Sequence, residues 1–262
     1  MRCATFTAHR PSPAARPGCS ACARCATPPR CCAAWSSTAL PGTARPAAPL
    51  GHGQCRRLGR RRARQIGQEQ RAVSVPAALN LLQQVPEAGA ARRMLDLGGG
   101  PGWIALALLR QQPALQASVF DWPEAVAVAA DNARQSRLSD RFTALGGNLA
   151  TDSIGSGYDL VWCSSVLHFV PDAAAVVAKV FDALAPGGVF VCAHAEVDET
   201  PEAALRTLPY YLPMRLMGRS VTRRGELQAL LAQAGFERIE RIESREFPMA
   251  PLAVLIARKA AP

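Results

Sequence analysis

The sequence lacks any long apolar run, although 49% of its 262 residues are hydrophobic. A membrane-spanning helix needs about 18 or more consecutive apolar residues, and no stretch of this chain approaches that length. We therefore expect no membrane partner. The chain is nevertheless long and apolar enough to bury the core of one good-sized domain.

Cysteine is scarce in the larger part of the chain, because seven of the nine cysteines lie within the first 55 residues. The other two, Cys163 and Cys192, fall in apolar, strand-like runs and are predicted to pack as small core residues. This distribution does not resemble the disulfide framework of a secreted protein. We therefore expect the protein in the reducing cytoplasm.

Net charge is also nearly absent from residues 71–262, which hold eighteen basic and nineteen acidic residues and have a formal charge of −1. Residues 1–70 hold twelve arginines and one acidic residue, so their formal charge of +11 accounts for the +10 of the whole chain. Nucleic acids are bound through basic surface. The larger part of the chain gives no reason to expect a nucleic-acid partner.

Residues 1–70 have no hydrophobic periodicity and are rich in Ala, Arg, Pro, Cys and Gly. We predict that they are disordered, because they cannot bury enough apolar surface to offset the entropy of ordering. A frame error or a misplaced start upstream of about residue 68 is our preferred explanation for this composition. The competing interpretations are an organelle-targeting signal, phosphate contact by residues 55–65, and a metal site at Cys19, Cys22, Cys25 and Cys31.

From residue 71 onward, short apolar runs typical of strands alternate with segments that have helical spacing. Seven such runs are separated by helical segments or turns, which predicts a doubly wound, mostly parallel sheet with helices on both faces. We therefore assign residues 71–262 to one α/β domain. Ligands of such sheets bind at the carboxyl ends of the strands, near the point where the strand order reverses.

A glycine-rich loop, "MLDLGGGPGW" at residues 94–103, follows the first predicted strand. It does not match a dinucleotide or phosphate loop, because Trp103 replaces the third glycine and no Gly-Lys-Ser/Thr follows. A carboxylate beside such a loop disfavours pyrophosphate and suits a cationic ligand such as S-adenosylmethionine. The glycines allow the backbone to approach the methionine portion of this ligand closely. The residues of this predicted site are Asp96, Gly98, Gly100 and Gly102.

Polar side chains at the ends of three further predicted strands complete the cofactor site. Asp121, 25 residues after Asp96, can accept hydrogen bonds from both ribose hydroxyls. Trp122 can cover an adenine face, Asn148 can pair with the adenine edge, and Ser164 ends the fourth strand. The alternatives are a helix cap for Asp121, a core position for Trp122 and a turn for Asn148.

These features resemble class I S-adenosylmethionine-dependent methyltransferases, and more closely the small-molecule O-methyltransferases related to acetylserotonin and caffeate methyltransferases. The matching segments lie in order over about residues 72–259 and are "MLDLGGGPGWIALAL", "VFDWPEAV", "GGNLATD", "GYDLVWCSSVLHFVPD", "LAPGGVFV" and "GRSVTRRGELQALLAQAGF". The resemblance implies the Rossmann-like seven-stranded fold of that class. It also implies S-adenosylmethionine as cofactor and a small hydroxylated, aromatic compound as methyl acceptor.

In that family a histidine after the fourth strand removes the acceptor proton, and the corresponding residue here is His168. A histidine suits this role because its pKa lies near neutrality. The family's supporting carboxylate falls near His194, and we expect Glu196, on the same strand face, to replace it. A second family carboxylate falls at Ser220.

We expect the acceptor pocket in "LPYYLPMRLMG", residues 208–218. The same side chains could equally pack a helix against the sheet. The predicted pocket residues are Tyr210, Tyr211, Met214 and Met217.

The relatives also carry an N-terminal winged-helix domain that forms a dimer and covers the substrate, and residues 1–70 do not resemble one. We therefore expect a homodimer only if such a domain is restored. Two other functions compete: a truncated S-adenosylmethionine-binding remnant with little activity, and methylation of RNA or protein. The second is disfavoured because "CSSV" stands where amino-group methyltransferases carry Asp/Asn-Pro-Pro-Tyr/Phe.

Overall fold

A seven-stranded sheet forms the centre of the computed structural model, which describes residues 52–198, 200–216, 218–248 and 251–261. The strand order is β3-β2-β1-β4-β5-β7-β6, and β7 alone runs in the opposite direction to the other six strands. The predicted doubly wound, mostly parallel seven-stranded sheet is therefore confirmed. The strands are β1 (Arg93–Leu97), β2 (Gln116–Asp121), β3 (Phe142–Gly146), β4 (Tyr158–Ser164), β5 (Leu184–His194), β6 (Glu237–Ser244) and β7 (Leu252–Arg258).

Helices lie between most of these strands. A π-helical turn, Gln70–Ser74, joins the first helix of the chain to the second, and short 3₁₀ turns occur at Ser139–Arg141 and Leu167–Phe169. None of the helices described is long and apolar enough to cross a membrane. The α-helices are α1 (His52–Glu69), α2 (Val75–Leu82), α3 (Pro86–Ala90), α4 (Trp103–Gln111), α5 (Pro123–Gln135), α6 (Ala173–Ala183), α7 (Pro201–Leu216) and α8 (Glu226–Gln233).

Alternation along the strands divides the core into two layers. In β4, Leu160 and Trp162 pack into the layer that contains α2, α4 and α5, whereas Val161 and Cys163 pack into the layer with α6 and α8. Cys163 and Cys192 are free and fully buried, so the prediction that both are core residues is confirmed. The central strands are apolar on both faces because helices cover both.

The first helix, His52–Glu69, lies within the segment that the sequence predicts to be disordered up to residue 70. Helix α1 is ordered and packs on α5, where a Cβ added at Gly59 would lie 2.9 Å from Glu124 Cβ. Ala63 and Gly67 lie one and two turns further on and are also buried. The packing face is therefore built from small residues, which hydrophobic periodicity does not detect. The proposed cysteine metal site lies outside the described residues.

We predict that Ala63→Leu loosens α1, because added methyl groups must fit into a closed interface, at a cost of about 1–3 kcal/mol. Tryptic cleavage after the arginines of α1 should become faster under native conditions. Gln65→Leu adds the same side chain at an exposed position of the helix and should leave the cleavage rate unchanged. Equal cleavage of Ala63→Leu and the parent protein would show that α1 is not docked.

Candidate functional site

The glycine loop turns the chain from β1 into α4 at the carboxyl edge of the sheet. Gly98 and Gly100 have φ angles of 70° and 58°, in the left-handed region that glycine adopts without strain. The Gly98 amide donates to the Phe120 carbonyl at 2.7 Å, which ties the loop to the end of β2. A side chain at position 98 would collide with Val166, so the loop lies directly against the segment that follows β4.

The outer side of the loop is open at Gly100. A Cβ placed there would have Gln70 Nε2 at 3.8 Å and Asp121 Oδ2 at 3.9 Å as its nearest neighbours. Gly102, in contrast, stands at the start of α4 and lies against Ala129 of α5. Its lack of a side chain therefore allows the two helices to pack closely. The space in front of Gly100 is therefore available for close approach of a ligand to the backbone.

Asp121 borders this space at the end of β2. Its Oδ2 accepts the Gly100 amide at 2.8 Å and its Oδ1 accepts the Trp122 amide at 2.6 Å. Burial raises the pKa of Asp121, and these two amides oppose that change. Among the described residues, no amide of the first turn of α5 donates to this carboxylate, so the helix-cap alternative is not supported.

Asp96 lies beneath the loop rather than beside an exposed ligand surface. It is only 1% exposed, and a Cβ at Gly99 would lie 2.5 Å from its carboxyl carbon. Burial raises its pKa to about 7, against the opposing effect of the Ala105 amide. Because the loop folds over it, Asp96 is sealed from solvent, and its predicted role toward a cationic ligand stays a prediction.

The other predicted cofactor residues differ in their roles. Trp122 is 44% exposed at the start of α5, which excludes the core position that was its alternative. Asn148 Oδ1 accepts the Ala150 amide at 3.0 Å, so its oxygen forms the local turn that was its alternative. Ser164 is partly buried at the end of β4 and stays a predicted contact.

His168 follows β4 in the turn Leu167–Phe169 and is 1% exposed. Its pKa is lowered to about 4, chiefly by burial and further by the positive charge of Arg219. Its ring lies 5.3 Å from the ring of His194, measured between centroids. His168 is therefore a neutral imidazole at neutral pH.

His194, the histidine that contacts His168, is the last residue of β5, the strand adjacent to β4. His194 Nε2 lies 3.0 Å from Thr222 Oγ1, and burial lowers its pKa to about 3, with a smaller contribution from His168. The sequence indicated His194 only as the place of an absent carboxylate. Its contact with His168 depends on the pairing of β4 with β5, in which Ser164 lies opposite Ala193.

Glu196 does not support His168 in the structure. Its Oε2 accepts from Arg241 Nη1 at 2.6 Å, and of the residues described none donates to its Oε1. These contacts do not support the predicted replacement of the family carboxylate by Glu196, which stays a prediction. The chain turns after β5, so that this side chain pairs with β6 instead.

The predicted acceptor residues that the structure describes are packing residues. Tyr211 is fully buried, and its hydroxyl donates to the Ala195 carbonyl. Met214 packs against the same core layer. The Tyr210 side chain and Met217 lie outside the described residues. The alternative that α7 packs against the sheet is therefore supported for Tyr211 and Met214.

Comparison with known proteins agrees with this arrangement. Residues 61–237 match the model of a family described as an O-methyltransferase domain. The chain is 33% identical over 155 residues to acetylserotonin O-methyltransferase of Mus musculus, covering 56% of this chain and 40% of the relative. It is 31% identical over 110 residues to 3-hydroxy-5-methyl-1-naphthoate 3-O-methyltransferase of Streptomyces sahachiroi, covering 41% and 32%. The chain thus spans less than half the length of these relatives.

The fold is also shared with solved structures. Human N-acetylserotonin methyltransferase in complex with SAM superposes with a TM-score of 0.60 at 23% identity, covering 80% of this chain and 57% of that chain. At this identity the likeness shows the fold alone.

The two buried histidines make stability depend on pH. Unfolded histidine takes up a proton below about pH 6.5, whereas His168 and His194 resist protonation until about pH 4 and 3. Stability is therefore lost as the pH falls below 6.5. We expect the free energy of unfolding, measured by urea denaturation, to fall in both proteins between pH 8 and pH 5. The fall should be about 2 kcal/mol smaller in His194→Gln than in the parent protein.

The internal control for this prediction is the range from pH 7.5 to 8.5. There both histidines are neutral in the folded and the unfolded state, so the two proteins should change in parallel. An identical loss at pH 5 would show that His194 is not buried as a neutral ring.

Proposed function

The chain belongs to the O-methyltransferase domain family, and from this membership we propose that it transfers a methyl group to a hydroxyl of a small aromatic compound. The cofactor of the family is S-adenosylmethionine. The observation that carries the proposal is the placement of the open glycine loop, Asp121 and His168 along one edge of the sheet. The named substrates of the two relatives, acetylserotonin and a hydroxynaphthoate, support an aromatic acceptor.

The residues at the loop fit the chemistry of this cofactor. The open face of Gly100 would receive the methionine portion, and the Asp121 carboxylate would accept the ribose hydroxyls while two amides hold it in place. Trp122 is exposed beside it and can cover the adenine ring. When bound, S-adenosylmethionine supplies an electrophilic methyl group that requires attack in line with the bond to sulfur.

His168 is the residue that we propose to contact the hydroxyl of the methyl acceptor. Its ring is uncharged and shielded from bulk water, so it can accept a hydrogen bond from the attacking hydroxyl and orient its oxygen. It lies at the end of β4, next to β1, which leads into the glycine loop. This neighbourhood of strands brings the proposed acceptor site close to the proposed cofactor site.

Two further features are part of the proposal. The buried, free Cys163 and Cys192 support a reducing cytoplasmic location. An exposed apolar stripe supports a homodimer on the condition that a covering dimerisation domain is restored, because such a surface favours a protein partner. The stripe follows α7 and consists of Leu205, Leu208, Leu212 and Leu216.

The glycine loop can be tested by calorimetric titration with S-adenosylhomocysteine. Gly100→Val should weaken binding by about tenfold or more, because the new side chain occupies the open space in front of the loop. Gly225→Val is the matched control, since Gly225 also has positive φ and has nothing within 4 Å of the added Cβ. Parallel behaviour of the two variants would contradict the placement of the cofactor.

The role of His168 can be tested by His168→Gln with an acceptor panel that includes N-acetylserotonin and 3-hydroxynaphthoates. Turnover should fall by about 100-fold or more, as expected for loss of a group that handles the transferred proton. Affinity for S-adenosylhomocysteine should stay unchanged, which separates the chemical role from folding. Unaltered turnover would remove His168 from the mechanism. Cofactor binding by the parent protein without any turnover would favour the remnant hypothesis.

A further inference from the structure

Arg219 lies beside the turn that carries His168, and its positive charge acts on the His168 ring. Its Nη1 donates to the Phe169 carbonyl at 3.3 Å, and its guanidinium carbon lies 5.7 Å from the centre of the Phe169 ring. The side chain is half-buried. Phe169 directly follows His168, and its ring lies 4.0 Å from the His168 ring. The cation is therefore held beside the proposed acceptor site.

Arg219 has no carboxylate partner among the residues that the structure describes, unlike two other arginines in this region. Arg241 pairs with Glu196 at 2.6 Å, and Arg224 pairs with Asp198 at 2.7 Å. Of the carboxylates that the structure describes in this region, Glu196 and Asp198 are therefore engaged by other arginines. A partly desolvated guanidinium without a counter-ion is suited to bind an anionic oxygen.

The positive charge of Arg219 acts on the His168 ring and disfavours an imidazolium ion there. The end of β5 contributes the neutral His194, and the segment after α7 contributes Arg219 and, through His194, Thr222. Glu196 is neutralised by Arg241. Complete transfer of a proton from a neutral hydroxyl to His168 would therefore place a second positive charge beside Arg219 in a buried site.

We propose that Arg219 determines acceptor specificity and that the acceptor is an aromatic anion. This inference rests on the proposed function and names its substrate class. The negative charge can reside on the reacting oxygen, in a hydroxyl made acidic by conjugation with a carbonyl group, or on a ring carboxylate. In the first case the oxygen attacks the methyl group already deprotonated, the methyl–sulfur bond breaks, and no proton needs to move to His168. In the second case the hydroxyl proton passes to His168 as the methyl–sulfur bond breaks, and the ring carboxylate balances the charge of Arg219.

The test measures binding of three naphthalene probes to the full chain saturated with S-adenosylhomocysteine. The probes are neutral 2-naphthol, 2-hydroxy-1,4-naphthoquinone with an acidic hydroxyl, and 3-hydroxy-2-naphthoate with a ring carboxylate. At least one anion should bind about tenfold tighter than 2-naphthol, as expected for a charge-assisted hydrogen bond. Preference for the quinone alone places the charge on the reacting oxygen, and preference for the carboxylate alone places it on the ring.

Variants separate a specific contact from a structural role. Arg219→Gln should remove the preference for anions and change 2-naphthol binding less than about twofold, whereas Arg219→Lys should retain most of the preference. Arg215→Gln, at an exposed arginine, is the matched control and should have no effect. Equal weakening of all three probes in Arg219→Gln would overturn the proposal.

The same titrations distinguish failure of this inference from failure of the proposed function. If S-adenosylhomocysteine binds but neither anion is preferred over 2-naphthol, or neither binds, only the role of Arg219 is wrong. If S-adenosylhomocysteine itself does not bind, the proposed function fails and the inference fails with it.

Discussion

The hydrogen bond between the Gly100 amide and the Asp121 carboxylate is the interaction on which the geometry of the site depends. It joins the loop after β1 to the end of β2, while the Gly98 amide makes a second link to the same strand. The left-handed backbone at both glycines makes this turn accessible without strain. Because β4 lies on the other side of β1, this arrangement also places His168 near the loop.

The acceptor side differs in charge from the pattern that the family resemblance implies. A carboxylate next to His168 would favour its imidazolium form, whereas His194 lies against His168 here and Arg219 lies nearby. Glu196, the nearest substitute in sequence, is paired with Arg241. The neutral imidazoles, together with a guanidinium that has no carboxylate partner in the described part of the chain, support the proposed anionic acceptor. The charges around His168 and the proposed charge of the acceptor therefore depend on each other.

Sequence patterns predicted the elements whose packing faces are large and apolar. Local residues mark the starts of two such elements, since Pro123 begins α5 and the glycine turn at Gly235 precedes β6. Helix α1 escaped detection because its buried face consists of glycine and alanine. Tyr211 was open to two interpretations, because an aromatic residue on a helix has the same pattern whether it lines a pocket or packs against a sheet.

The sequence alone determined the order of strands and helices, the glycine loop, and Asp121 and His168 as candidate site residues. These properties are local, because they follow from hydrophobic period, turn residues and spacing along one segment. Only the tertiary structure decided that Asp96 is buried, that Glu196 pairs with Arg241, and that Arg219 lies beside His168. These contacts join segments distant in sequence, and the protonation state of each group depends on the burial and charges that such contacts create.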